Sequence, residues 1–535
     1  MQNRQGEQEL ITAAQMRSAE AVAIAEGTSG ARLMERAGRG VADAIAAELA
    51  VAEPREGARP VVILCGPGNN GGDGYVIARV LKDRGHPVTI YGLVPAADLK
   101  GDALAMAQRW EGPTHPPRRF FEHAPTGEET VIVDALFGTG LSRPVDGDAA
   151  KMIAHANAMP GIKVAVDIPS GIDSDTGAAL GAAFAADMTV TFHALKPGHL
   201  LRPGARHCGD VALVDIGLGA QATTRARLAT DGPEIDRNDG AALLARLGTD
   251  PDGHKYTRGH ALVFAGGMEG VGAARLAARA ALRSGAGLVT LAVPASALMA
   301  HAARGPDALM LRRCEGEEGI TALLADARRN ALVIGPAYGV GEATRAAVAA
   351  VLAARRAAVL DADALTSFAG KPDDLATLTR AAGNTVITPH AGEFARLFAE
   401  EEPQAAARTA GRRLKKAAAD PLLEAVRATP SPLHQALAAA AFLSAVVVLK
   451  GPATIIAAPD GRAAINTNAP PWLGTAGSGD VLAGLIGGLL AQGLAPYDAA
   501  RAGVWLHGEA GQAAGRGLIA DDLPEAVKQV LERLV

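Results

Sequence analysis

At 535 residues the chain is too long for one hydrophobic core, and with 49% of its residues apolar it can bury two. A mild formal net charge of −5 argues against a nucleic-acid binder, which would carry a basic patch. Three widely spaced cysteines, Cys65, Cys208 and Cys314, give neither a disulfide framework nor a zinc pattern, and the setting they suggest is reducing cytoplasm.

The opening MQNRQGEQEL is polar with no apolar run behind it, so it does not read as a signal peptide. From there short apolar runs alternate with Ala-rich helical stretches. In the first half the runs are VVILCG (61–66), VTIYGL (88–93), TVIVDALFG (130–138), KVAVDIPSG (163–171), MTVTFH (188–193) and DVALVDIG (210–217). Such runs suit strands buried on both faces, and helices between them imply a parallel, doubly wound sheet.

The first run leads into GPGNNGGDG (66–74), which matches GxGxxG at Gly66, Gly68 and Gly71 on a strand-to-helix turn. Glycines there let a backbone approach a pyrophosphate. A dehydrogenase reading a ribose hydroxyl would also place an acid at the end of the second strand, and HPVTIYGLV (86–94) has none. Instead the turn carries Asn69, Asn70 and Asp73, which either serve a site or satisfy a tight turn. Asp134 in DALFGTGLSRP (134–144), and Asp167 with Ser170 in DIPSGID (167–173), stand at two further strand ends. Carboxyl ends of parallel strands line one crevice, so these residues can converge, although a strand-end Asp also serves as a helix cap. Lys196 is either a further acid–base candidate or a solvated surface lysine.

The stretch QATTRARLATDGPEIDRNDG (221–240) is polar and reads as a boundary, giving domains at 1–222 and 240–535 with a linker at 223–239. Alternation then restarts with ALVFAGG (261–267), GLVTLAV (287–293), ALVIGPA (331–337), AAVLDAD (357–363), TVITPH (385–390) and VVVLKG (446–451). The segment 399–441 is helical in pattern with a Pro break at 430–432 and reads as a connecting or lid-like insertion. Within it, RRLKK (412–416) suits a solvated helix face. The decisive motif is GTAGSGDVLAG (474–484). Its glycines present backbone N–H groups at a helix start, where they stabilise a phosphoryl group in flight, and Asp480 is placed to take a proton from an acceptor hydroxyl. A Walker loop is absent. VLAGLIGGLLAQG (481–493) is short for a membrane span and rich in glycine, so a buried helix is expected.

LITAAQMRSAEAVAIAEGTSGARLMERAG (10–38), GPGNNGGDG, DALFGTGLSRP, DIPSGID and TFHALKPG (191–198) together resemble the NAD(P)H-hydrate epimerase family. The resemblance implies a Rossmann-like three-layer domain that interconverts R- and S-hydrates of NADH and NADPH around a potassium ion. It implies that Asn69, Asn70, Gly71, Gly72 and Asp73, with Gly138, Thr139, Gly140, Leu141, Ser142, Arg143 and Pro144, hold the hydrated dinucleotide. Asn70, Asp134 and Ser170 would be potassium ligands and Asp167 the acid–base group. HKYTRGH (254–260), GVGAARLAARAALRSGAGLV (270–289), LVIGPAYG (332–339), LDADAL (360–365), VITPHAGEF (386–394) and VVVLKGPATII (446–456) resemble the ADP-dependent NAD(P)H-hydrate dehydratase family, with a ribokinase-like α/β fold. That implies hydrate contacts at Ala273, Gly339 and His390, nucleotide contacts at Lys450, Gly451, Pro452, Ala453, Thr454 and Gly479, and Asp480 as base. His390 is alternatively an ordinary strand-end histidine. Mg2+ and ADP are implied as cofactor and co-substrate, NADHX and NADPHX as substrates, and a homo-oligomer without nucleic-acid or membrane partners. GPAYG (335–339) departs from the usual GPGLG, GMEGVG stands where a Ser-containing loop is common, and Tyr256 stands where the family often has Gly. The rival reading is a vitamin-precursor kinase of the same fold, fused to a non-catalytic ligand-binding domain.

Overall fold

A computed structural model describes residues 9–52, 58–219, 221–230, 232–247, 252–400 and 420–534. The chain divides into two compact units, Met1–Asp236 and Arg237–Val535.

In the first unit the apolar runs become parallel strands: β2 (Val61–Cys65), β3 (Val88–Gly92), β5 (Val131–Ala135), β6 (Ile162–Val166), β7 (Met188–Phe192) and β8 (Asp210–Val214). The two-residue strand β4 (Thr114–His115) completes a sheet of order β4-β3-β2-β5-β6-β7-β8. Alternate residues feed two cores, as period two demands. Val61, Ile63 and Cys65 pack with Met16 and Val41 from the helices Ala13–Ala25 and Gly30–Ala52, while Val62 and Leu64 pack with Phe120 and Met152 on the other face. The result is three layers. The chain leaves β2 in one direction across the sheet and later returns beside it as β5, so the crevice opens at the carboxyl ends of β2 and β5.

The stretch 223–239, read as a linker, carries regular structure. Helix Ala222–Thr230 turns its buried Ala222, Thr223 and Ala226 inward, and β9 (Glu234–Arg237) pairs antiparallel with β1 (Glu9–Leu10). Polar composition concealed this because the anchoring is polar: the Arg227 guanidinium donates to the carbonyls of Leu10 (3.2 Å) and Ile235 (2.6 Å).

The second unit is built on a sheet of order β18-β17-β16-β15-β14-β13-β10-β11-β12. Six strands follow the expected runs: β10 (His260–Phe264), β11 (Leu288–Val293), β13 (Ala331–Ile334), β14 (Ala357–Leu360), β15 (Thr385–Ile387) and β16 (Val446–Leu449). All of these pair in parallel, as does the edge strand β12 (Met310–Arg313). Beyond β16 the sheet turns antiparallel, where β17 (Thr454–Ala457) and β18 (Arg462–Asn466) add a hairpin that the sequence reading did not anticipate. The turn Ala458-Pro459-Asp460-Gly461 between them was the available signal.

Helix Ser478–Ala491 is buried along almost its whole length, as expected. No described helix is long and apolar enough to cross a membrane. The segment 399–441 is not a lid where it is described: helices Pro421–Ala428 and Pro432–Leu443 are core elements, the second burying Leu433, Ala436, Phe442 and Leu443. RRLKK (412–416) lies outside the described residues.

Candidate active sites

In the first unit Asn69–Asp73, read as a loop, forms the first turn of helix Asn69–Asp83. Glycine at 66 is a packing demand: a Cβ there would stand 1.8 Å from the Leu136 carbonyl oxygen, so the two strand-end loops touch backbone to backbone. Asp134, at the end of β5, is fully buried. Its carboxylate accepts from Ser170 Oγ (2.7 Å), Ser170 N (2.8 Å) and Leu136 N (3.2 Å). Burial pushes its pKa up to about 6 against the pull of the Ser170 hydrogen bonds. Ser170 Oγ also lies 3.1 Å from the Phe137 carbonyl. Asn70 Nδ2 is buried without a partner. The Cβ that Gly138 lacks would meet Asp167 Oδ2 at 3.0 Å and Asn70 Oδ1 at 3.2 Å, so that missing side chain leaves a cradle between them. Beside it a cavity of about 220 Å3 is lined by Leu93, Phe137, Leu141, Arg143 and Pro144 among others.

Asp167 has φ +67°, a left-handed conformation unusual for a non-glycine residue. Several contacts hold it, among them Thr191 Oγ1 donating to Oδ1 (3.2 Å). His199 Nδ1 accepts from Lys196 N (2.9 Å), which leaves Nε2 to donate to the Asp167 carbonyl (2.8 Å). Thr139 N donates to Oδ2 (3.1 Å), and Lys196 Nζ donates to Oδ1 (2.9 Å). Lys196 is therefore not a solvated lysine: it is 0% exposed and also donates to Thr191 Oγ1 and the Phe192 carbonyl. Burial works to raise the Asp167 carboxyl, yet the Lys196 ammonium and the Thr139 N–H hold it below the ordinary range. Asp73 moves the other way, well above it, through burial and then repulsion from Asp167 and Glu20. Glu20, on helix Ala13–Ala25, is likewise raised, by burial first and by Asp167 second. One crevice thus holds carboxyls whose pKa values are pushed in opposite directions, the arrangement acid–base chemistry needs. Glu20 stands inside a recognisable segment and His199 directly after one, and neither carried a further signal in the sequence.

In the second unit the carboxyl ends of β10 and β13–β16 converge on helix Ser478–Ala491. The helix is capped by Gly477 at φ +87°, which glycine adopts freely. Asp480 lies in its first turn, and no N–H or O–H of the described residues donates to its carboxylate. Its pKa is pushed up to about 7 by burial first, then by Asp361, with Lys450 opposing and Asp363 and Glu393 adding to the rise. Lys450 Nζ donates to Asp361 Oδ1 (2.9 Å) and stands 4.0 Å from Glu393. A Cβ on Gly479 would lie 3.2 Å from that ammonium, so Lys450 sits directly under the turn. Desolvation opposes its charge, but Asp361 and Glu393 raise its pKa overall. Gly451 and Thr454 close a small loop, with Thr454 Oγ1 donating to the Gly451 carbonyl (3.1 Å), and Pro452 and Ala453 at its tip.

His390 caps helix Ala391–Leu397: Nδ1 accepts from Gly392 N (2.9 Å) while Glu393 Oε2 accepts from His390 N (2.8 Å). Half its side chain is exposed, with Nε2 left to carry a proton. Gly339 N donates to Asp363 Oδ2 (2.8 Å), and Ala273 lies in the first turn of helix Val271–Arg283. The departure GPAYG has a structural consequence, since Ala337 adopts φ +47° where glycine would be at ease. Asp361, Glu393 and the buried His507, whose Nε2 is 3.2 Å from Ser478 Oγ, were not singled out from the sequence. Asp361 sat in view in LDADAL without a partner to give it meaning.

Residues 30–198 match the family of YjeF-related protein N-termini, and residues 261–532 match the NAD(P)H-hydrate dehydratase family. Bifunctional NAD(P)H-hydrate repair enzymes Nnr are similar over nearly the whole chain. That of Thermofilum pendens is 37% identical over 497 residues, covering 90% of this chain and 87% of the relative. That of Moorella thermoacetica is 34% identical over 554 residues, covering 98% and 97%. Among solved structures, ADP/ATP-dependent NAD(P)H-hydrate dehydratase from Bacillus subtilis, co-crystallized with ATP/Mg2+, aligns at 27% identity with a TM-score of 0.42, over 55% of this chain and 97% of that one.

Proposed function

The chain belongs to the bifunctional NAD(P)H-hydrate repair enzyme family, and from that premise we propose how its two halves divide the work. The protein is an enzyme of metabolite repair. Its first half interconverts the R- and S-hydrates of NADH and NADPH. Its second half dehydrates the S-hydrate at the expense of ADP, giving AMP and phosphate.

In the first half, Asn69–Asp73 and Gly138–Pro144 hold the hydrated dinucleotide. Asp167 exchanges a proton with the hydroxyl on C6 as it leaves and with the water that returns to the opposite face. The ring nitrogen lone pair drives the departure. Lys196 keeps Asp167 ionised between turnovers. Asn70, Asp134 and Ser170 would hold a potassium ion. The fit rests on an all-oxygen donor set around a fully buried carboxylate and on the unpartnered Asn70 amide, which can turn its oxygen inward. A bound potassium ion supplies a fixed positive charge against Asp134.

In the second half, Ala273, Gly339 and His390 seat the hydrate, and Lys450–Thr454 with Gly479 seat the nucleotide. Asp480 takes the proton of the C6 hydroxyl as its oxygen attacks the β-phosphorus of ADP, and the bond to the bridging oxygen of AMP breaks. Phosphate is then a far better leaving group than hydroxide. The ring nitrogen expels it, and loss of a proton from the adjacent carbon restores the dihydropyridine. Mg2+ would arrive with the nucleotide's phosphates as part of the co-substrate and neutralise their charge. Free, buried thiols at Cys65 and Cys208 fit work in the reducing cytoplasm.

The observation that carries the reading is Asp480, partly buried, poised near neutrality beside Lys450 at the mouth of a glycine turn. Mixed R- and S-NADHX with ADP should regain the full NADH absorbance and release free phosphate in equal amount. A stable phosphate ester in place of free phosphate would mark a vitamin-type kinase.

A further inference from the structure

The carboxylate of Asp361, a residue to which the family resemblance assigned no role, is the hub of the second site. It is 1% exposed at the end of β14. Its Oδ1 accepts from Lys450 Nζ at the end of β16 (2.9 Å) and from Thr388 Oγ1 at the end of β15 (2.7 Å). Its Oδ2 lies 4.0 Å from where a Cβ on Gly479 would stand. Three strand ends and the helix start meet around one carboxylate. A lysine tail has four rotatable bonds and a loose point charge, so an ammonium without such an anchor would spread over several positions.

We propose, on the functional reading above, that Asp361 is a positioning residue of the dehydratase half: it pins the Lys450 ammonium beneath the turn carrying Gly479 and Asp480, and so fixes where nucleotide phosphate and base meet. Asp361 also bears on the base through space. The charged groups facing Asp480 are Asp361, Asp363, Glu393 and Lys450, and Asp361 contributes the largest of the repulsions. Buried His507 nearby is neutral, its pKa held down to about 4 by burial. Removing the negative charge at 361 therefore lets Asp480 lose its proton at lower pH.

The test uses the full-length chain, pure S-NADHX and ADP. Asp361→Asn keeps the shape and an oxygen for Thr388 Oγ1, but it removes the negative charge that anchors the Lys450 ammonium. Expected are a fall in kcat of about 10- to 100-fold, a weaker KM for ADP, and an acidic limb of the kcat profile displaced downward by about half a unit or more. A merely structural role would lower the active fraction and leave both the limb and KM where they are, and that result overturns the proposal. Should Asp361→Asn fail to fold, Thr388→Val serves in its place. It frees one side of the same carboxylate with no change of charge, so KM for ADP should rise several-fold while the limb stays put; an unchanged KM overturns the proposal equally. If the wild-type chain releases no phosphate from S-NADHX, the functional reading itself has failed. A wild type that works beside an unaltered Asp361→Asn isolates the failure to this inference.

Discussion

Asp480→Asn is expected to stop dehydration and, at the same time, to stabilise the second unit above neutral pH. The carboxyl is pushed up to about 7 in the folded chain from an ordinary 3.8. A group that holds its proton more tightly when folded contributes its stability below the unfolded pKa. That stability is lost as pH rises through the folded pKa. A displacement of about three units corresponds to about 4 kcal/mol, complete only above pH 7. The amide stands in for the protonated carboxyl at every pH, so the variant escapes the loss. Between pH 5 and pH 8 its advantage over wild type should widen by about 2–3 kcal/mol, or roughly 5 °C in Tm for a unit of this size. The assay is a pair of thermal melts at each pH, with ADP binding by calorimetry to show that the glycine turn still accepts nucleotide. A Tm difference that does not change between pH 5 and pH 8 would refute the placement of a burdened carboxyl at this helix start. Phosphate release from S-NADHX near the wild-type rate would remove Asp480 as the base.

Two further substitutions probe the other features. Asp167→Asn keeps the shape but cannot shuttle a proton, so R-to-S interconversion should fall by about 10²–10⁴-fold while dehydration of pure S-hydrate is unchanged; ordinary interconversion, followed by separating the epimers over time, would discharge Asp167 from the mechanism. Ala337→Gly relieves a non-glycine residue at φ +47° and should raise the stability of the second unit by about 1 kcal/mol, read as a higher denaturant midpoint at constant slope. A lower midpoint would mean that the alanine methyl packs well enough to repay the strain.

Local patterns made much of this protein legible in advance. Apolar runs such as VVILCG and ALVIGPA are strands because a sheet covered on both faces demands them, and the chain writes that demand over four or five consecutive residues. The GSGD turn is equally local, since a positive φ at Gly477 and an acid three residues on lie within one helical turn. What escaped depends on proximity across the fold. The hairpin β17–β18 is as long as the parallel strands before it, and only its pairing across the sheet gives it an antiparallel sense. Lys196 looked as much like a surface lysine as a buried one, because nothing in TFHALKPG tells whether its ammonium meets water or Asp167, 29 positions earlier. Asp361 and Lys450 are 89 positions apart, and the effect of that pair on Asp480 arises only once all three have left water together. Sequence alone settled the long apolar strands and the glycine turns, since backbone conformation there answers to neighbours along the chain. Tertiary structure alone decided which carboxyls keep their protons, because desolvation and Coulomb forces act through space and take no account of position in the chain.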